Sequence, residues 1–178
     1  MPIDLSRYVS RYKLKGKEWE KTLDKIGKDA RNRGYLTWWE LVKIAEWKST
    51  RPINLVGNNN QTVVKNITKY ALKMNDDKDD EIKRKIEILI LLEGVQIPVA
   101  SSILAIIHPK KYGVIDVRVW RTLHNEYDSS LFPSKSSASL NSTDFVKYVN
   151  YIRKLADKSR LTPREVDMAL FQYDKENS

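Results

Sequence analysis

Apolar positions along the chain recur at spacings of three and four, and no run of two-residue alternation competes with them, so the pattern is that of helices. From Lys17 to Arg33, the residues Trp19, Leu23, Ile26 and Ala30 share one helical face, and Gly34 stops it. Thr37-Trp38-Trp39-Glu40 is a capping-box pattern. The helix it opens runs through Leu41, Ile44 or Ala45 and Trp47, and ends near Ser49 because Pro52 cannot continue it. Beyond the loop Gly57-Asn58-Asn59-Asn60, a further helix carries Val63, Val64, Ile67, Ala71 and Met74. The acidic cluster at 75–81 puts negative charge at the start of a helix beginning near Ile82. That helix runs through Ile86, Leu89 and Ile90 to a left-handed closure at Gly94.

Pro98 fits the first turn of the next helix, where its missing N–H has no partner to lose. Val99, Ile103 and Ile106 or Ile107 continue that helix, which ends before Pro109, and another begins around Asp116. Residues 128–142, rich in Ser and holding Pro133, read as a long surface loop. Phe145, Val149, Ile152 and Ala156 define a helix from about Thr143. Thr162-Pro163-Arg164-Glu165 is a second capping box, followed by Val166, Leu170 and Tyr173. Residues 1–16, punctuated by Pro2 and Gly16 and with Tyr8 and Tyr12 four apart, read as an arm or short helix packed on the body. The expected fold is all-α, with seven to nine helices.

The turn at 94–98 gives this pattern a chemical use. Backbone N–H groups of a tight hairpin, next to the positive end of the following helix dipole, suit an anion such as a nucleic-acid phosphate. A plain αα-hairpin with a Gly cap is the structural alternative. The formal net charge of +9 over 178 residues favours a polyanionic partner. That length suits one domain or two small lobes sharing a core. With no cysteine, disulfides, thiolate zinc sites and iron–sulfur clusters are excluded, and two histidines make a histidine-rich metal site a poor expectation. The 75–81 cluster lacks the spacing of a calcium loop. No signal peptide and no bilayer-length apolar run are seen, so the expectation is no membrane and a cytoplasmic protein.

Leu92, Gly94, Val95 and Ala100, followed after a second apolar helix by Ile115, Asp116, Val119 and Arg121, resemble the helix-hairpin-helix DNA glycosylase superfamily, the endonuclease III and adenine-glycosylase group. The resemblance implies a two-lobed helical fold with a hairpin-containing lobe at 36–116 and a second lobe formed by 1–35 and 117–178. It implies a catalytic carboxylate at Asp116, contact with duplex DNA, no cofactor, a monomer, and nucleoid association when DNA is bound. The family's second hairpin glycine is replaced by Gln96, and the position of the nucleophilic lysine in bifunctional members holds Pro98. The implied activity is therefore monofunctional base excision without lyase chemistry.

Gly94, Val95, Gln96, Pro98, Lys110, Lys111, Arg118 and Arg121 are the expected contacts to the DNA backbone. Trp47, Lys48, Arg51 and Tyr112 are the expected base pocket, an aromatic flanked by cations being able to stack on a base and pair with a phosphate. Trp38 and Trp39 are further candidate stackers. Each residue also has a structural reading: Asp116 as a helix N-cap, Trp47 as core, and the lysines as solvated charges. Arg164 and Asp167 read as a structural ion pair. The alternative at the level of function is a DNA-binding helix-hairpin-helix module without chemistry.

Overall fold

The structure, a computed structural model, describes residues 3–15 and 17–178, with the backbone alone described at residues 14, 15, 17, 18 and 137. Pro2 and Gly16 lie outside the described residues. Among these there are ten α-helices and no strand, an all-α protein as the periodicity predicts. In chain order they are α1 (Leu5–Lys15), α2 (Lys17–Arg33), α3 (Trp38–Lys48), α4 (Ile53–Gly57) and α5 (Gln61–Lys73). They continue as α6 (Asp79–Leu89), α7 (Ile97–Ile107), α8 (Val117–Glu126), α9 (Ser142–Ser159) and α10 (Pro163–Asn177). The Ser-rich connection between α8 and α9 holds one 3-10 turn, Ser137–Ser139.

The caps explain most boundaries. Thr37 and Thr162 each close a full capping box with the glutamate three residues on, so α3 and α10 begin where those residues predict. α9 begins with Asn141 as N-cap, its side chain accepting from Thr143 N and Asp144 N, while Asp144 answers to the Asn141 N–H. α6 starts at Asp79, three residues before Ile82. Asp79, Asp80 and Glu81 thus lie inside its first turn, where the dipole favours them. α4 is a single turn after Pro52, too short to leave a periodicity.

α7 lies at the centre. Ile97 and every residue from Val99 to Ile107 are buried, which is why this helix carries no charge and is apolar all round except at Ser101 and Ser102, whose hydroxyls donate to Pro98 O. α2 crosses it closely enough that a Cβ on Gly27 would overlap the Ile106 carbonyl oxygen. Arg31, also on α2, donates to the Ile107 carbonyl at the end of α7. α1, α8 and α9 pack on α10, α3 and α6 pack on α7, and α4 and α5 pack against α3, with α5 also on α6. Edge-on ring pairs join α1 to α10: Tyr8 with Tyr173 at 5.3 Å and Tyr12 with Phe171 at 6.0 Å. A continuous core runs from Leu5 and Val9 of α1 to Ala169 and Leu170 of α10.

The turn between α6 and α7 takes its shape from Gly94. Its φ is +74°, in the region L side chains avoid, and an added Cβ would stand 2.8 Å from both Leu55 Cβ and Val56 N. Glycine here lets the hairpin close and lets α4 dock against it. Gly94→Ala is expected to lower unfolding stability by about 2 kcal/mol or more, from left-handed strain and overlap together. Gly57→Ala, where an added Cβ meets nothing within 4 Å, is expected to stay within about 0.5 kcal/mol of wild type. Urea unfolding of the two variants reads the difference.

Candidate active cleft at the hairpin

Asp116 is the N-cap of α8. Its Oδ1 accepts from Arg118 N at 2.9 Å and Val119 N at 3.0 Å, which leaves Oδ2 for another partner. That partner is Lys48 Nζ at 2.8 Å, from the last turn of α3, 68 residues earlier. Both side chains are 14% exposed, so the pair is screened from bulk water yet open to the cleft on one side. The cap and the ion pair use different oxygens of one carboxylate.

The segment leading to Asp116 is held from several directions. Val114 N–H donates to Asp167 Oδ2 at 2.8 Å, and the Tyr148 hydroxyl donates to Val114 O at 2.8 Å. Ile115 N–H donates to Ser101 Oγ on α7 at 3.2 Å. Gly113 sits where a Cβ would stand 2.8 Å from Pro163 O and 2.7 Å from Ile152 Cδ1. Helices α7, α9 and α10 therefore all position the carboxylate, and the non-helical segment has its buried polar groups satisfied.

Asp116 opens onto a cleft of about 710 Å³ between α3, α4, the hairpin and α8. Gly94, Gln96 and Pro98 line its hairpin side. No side chain caps the N-terminus of α7, whose N-cap position is Gln96. Val95 is buried, and its N–H is taken by Leu92 O at 3.0 Å, so it faces the core. Lys48, Arg51 and Arg118 make the cationic side of the cleft. Among the described residues the Arg51 guanidinium has no ion-pair partner. Arg118 reaches Asp174 of α10 at 3.0 Å, and Arg121 grips the same carboxylate with Nε at 2.7 Å and a terminal nitrogen at 2.6 Å. Burial works to raise Asp174, but the two guanidiniums outweigh it and hold the carboxyl below its ordinary value. Arg121 is thereby committed to α10 and lies outside the cleft lining.

A chamber of about 130 Å³ adjoins the cleft. Lys48, Asp116 and Phe171 line both spaces, so the ion pair is part of their common wall. Tyr12 and Trp47 add two further rings, and Arg164 and Asp167 contribute a guanidinium and a carboxyl. Arg164 and Asp167 are ion-paired as their spacing suggests, and both are buried. Burial pushes the Asp167 carboxyl up to about 7, against the pull of Arg164 and of the Val114 N–H.

Trp47, Lys48 and Arg51 thus meet at the cleft and its chamber. Tyr112 does not join them. It is fully buried, its hydroxyl donates to Asp76 Oδ1 at 2.7 Å, and its ring lies parallel to Phe145 at 6.1 Å. The same Asp76 accepts from the buried Lys85, so Tyr112 belongs to a buried polar cluster that pins this segment to α6. Lys110 and Lys111 line a separate depression with Arg153, and Lys111 Nζ lies 3.5 Å from Asp76 and 3.6 Å from Asp77. Trp38 donates to Gly57 O at 3.1 Å, and Trp39 is exposed away from the cleft lining. Tyr12 and Phe171 join the site although sequence patterns did not single them out for it. Tyr12 sits in a helix read as an accessory arm, and Phe171 lies off the Val166–Leu170–Tyr173 stripe. Among the described residues no three His, Cys, Asp or Glu side chains are grouped to hold a metal, and no helix is long and apolar enough to cross a membrane. Compared with protein-family models, curated proteins and solved structures, the chain matches none of them.

The arrangement offers a carboxylate of fixed orientation, a cationic wall, a helix start with no side-chain cap, and a ring-lined chamber behind them. The Asp167 environment has a pH signature. Its folded value, about 7, lies above the ordinary 3.8, so between these values the folded chain holds a proton that the unfolded chain has released. This group's contribution is fully present below the ordinary value and is lost as pH rises toward 7. Thermal or urea unfolding from pH 4 to pH 7 should show wild-type stability falling relative to Asp167→Asn. The differential slope should be up to about 1.4 kcal/mol per pH unit.

Proposed function

We propose that the chain is a monofunctional DNA glycosylase of the helix-hairpin-helix kind, hydrolysing the N-glycosidic bond of a damaged or mismatched base in duplex DNA. The observation that carries this reading is the convergence of Asp116, the uncapped start of α7 and a ring-lined chamber at one cationic cleft. Breaking the bond between base and sugar develops positive charge on the sugar, and a carboxylate of fixed orientation stabilises that charge. The Oδ1 cap fixes the orientation of Asp116, and Oδ2 is the oxygen presented to the sugar. Lys48 pairs with Oδ2. A DNA phosphate at the cleft competes for the lysine and uncovers the oxygen.

The base reaches the chamber only by leaving the stack, and the rings of Trp47, Tyr12 and Phe171 repay part of that unstacking. Free N–H groups at the start of α7, with Arg51 and Arg118, hold the backbone of the strand being read. Leu55 and Val117 stand exposed at the mouth, giving the cleft an apolar lip between its charges. With Pro98 at the hairpin position and Asp116 as the reacting-centre carboxylate, water completes the reaction and leaves an intact abasic strand. The protein acts as a monomer without a cofactor, as a cytoplasmic, nucleoid-associated repair protein.

A second reading, a DNA-binding module without chemistry, is favoured by one observation: both oxygens of Asp116 already have partners. The two readings separate in a base-release assay. The substrates are duplexes holding uracil, thymine mismatches, oxidised guanine, hypoxanthine or alkylated purines. Glycosylase function predicts release from at least one duplex, reduced on the order of a hundredfold or more in Asp116→Asn. Asparagine is as good an N-cap as aspartate, so the variant tests charge with the helix start preserved. Salt-sensitive DNA binding with no release from any duplex would favour the module instead.

A further inference from the structure

The chamber behind Asp116 ends in groups that the proposed chemistry leaves unused. Arg164 and Asp167 sit three residues apart in the first turn of α10, ion-paired to each other and nearly inaccessible to solvent at 7% and 3% exposure. Asp167 gives one oxygen to Arg164 and the other to Val114 N–H. One terminal nitrogen of Arg164 also reaches the Tyr12 hydroxyl at 3.5 Å and Glu20 at 3.6 Å. A carboxylate has about four acceptor sites and a guanidinium five donors, so beyond these partners both groups keep capacity toward the chamber. The Arg164 guanidinium packs against two rings, its central carbon 5.1 Å from the Trp47 centroid and 5.7 Å from the Tyr12 centroid. It therefore has little freedom to turn away. The chamber itself is of single-nucleobase size and too small for a whole nucleoside.

We propose that Arg164 and Asp167 make this chamber selective for bases with a lactam edge, a ring carbonyl beside a ring N–H, as in uracil, thymine, hypoxanthine and guanine-type bases. A guanidinium beside a carboxylate presents one donor next to one acceptor. A lactam edge offers the complement, its carbonyl accepting from Arg164 and its N–H donating to Asp167. Adenine and cytosine carry the opposite edge, a bare ring nitrogen beside an amino group, and set acceptor against acceptor at Asp167. A site with buried polar groups rejects the mismatched edge strongly, because those groups are then left unpaired. The inference rests on the glycosylase reading for its biological meaning and specifies the substrate class of that site.

The test uses the full chain and N-methylated bases, so that it does not depend on catalysis, and is run at pH 8, above the value of about 7 at which Asp167 ionises. Binding of 1-methyluracil, 9-methylhypoxanthine, 9-methyladenine and 1-methylcytosine, each blocked where the sugar would be attached, is titrated by tryptophan fluorescence, with Trp47→Phe identifying the responding ring. 1-Methyluracil and 9-methylhypoxanthine should bind at least about tenfold tighter than 1-methylcytosine and 9-methyladenine respectively. 1,3-Dimethyluracil and 1,9-dimethylhypoxanthine, which keep the carbonyl and lose the remaining ring N–H beside it, should drop to the weaker level. Asp167→Asn should abolish the preference, but the ranking on the wild-type chain decides the matter even if that variant does not fold. Equal binding of both base types, tighter binding of adenine and cytosine, or no binding of any base overturns the proposal. Base release without this ranking would keep the glycosylase and lose the selectivity. The ranking without base release from any duplex would keep the pocket and lose the glycosylase.

Discussion

The contact between the Asp167 carboxylate and the Val114 N–H holds the site together. It joins the first turn of α10 to an extended segment that has no ladder or helix of its own. A backbone donor buried there without a partner would cost about 1–3 kcal/mol, and the cost would fall on the residues that aim Asp116. Arg164 completes the arrangement by sharing the charge of Asp167, and Tyr12 and Trp47 close over the guanidinium. A single buried carboxyl thus sets the position of the neighbouring site carboxylate and forms an end wall of the chamber. Removing one member of such a pair strands the other in a dry interior, so the elements meeting there are energetically coupled.

Around that contact the helices divide the work. α7 contributes its length to the core and its first turn to the cleft. α10 contributes its start to the chamber, and near its end Asp174 clamps Arg118 and Arg121. α1, α8 and α9 support α10, so the N-terminal helix reaches the site through Tyr12. Charge is distributed with equal economy. The two arginines of α8 are largely used inside the fold, held by Asp174. What the cleft keeps for a polyanion is Arg51, part of Arg118, and the lysine now held by Asp116.

Much of the fold was legible in the sequence, because it is written in local patterns. The stripes at 17–33 and 145–156, the boxes at Thr37 and Thr162, the glycine at 94 and the proline at 98 each act within a few residues. The N-cap role of Asp116 and the Arg164–Asp167 pair were legible for the same reason. α4 was too short to show, and Asn141 was missed as a cap because its box partner is Asp144 rather than a glutamate. The site was less legible. Lys48 and Asp116 are neighbours only after α3 and α8 have been brought together by α7. Tyr112 looks like a surface aromatic beside two lysines, and its burial depends on Asp76, 36 residues away. The free charge of Arg121 disappears for a similar reason, since Asp174 is 53 residues distant. Local chemistry names candidates, and only packing decides which of them share a space.

The end of α3 carries a consequence of its own. Trp47 and Lys48 are consecutive residues, yet one lines only the chamber while the other stands in the wall between chamber and cleft. An α-helix turns about 100° and rises about 1.5 Å per residue, so adding or removing one residue within α3 would exchange the spaces that these side chains face. The capping box at Thr37 fixes where the count begins, and Gly57, accepting from Trp38, fixes the orientation of the first turn. α3 thus behaves as a ruler of set length between a cap and a site. Variation in the chemistry of this cleft has to come through substitution along that helix rather than through a change in its length.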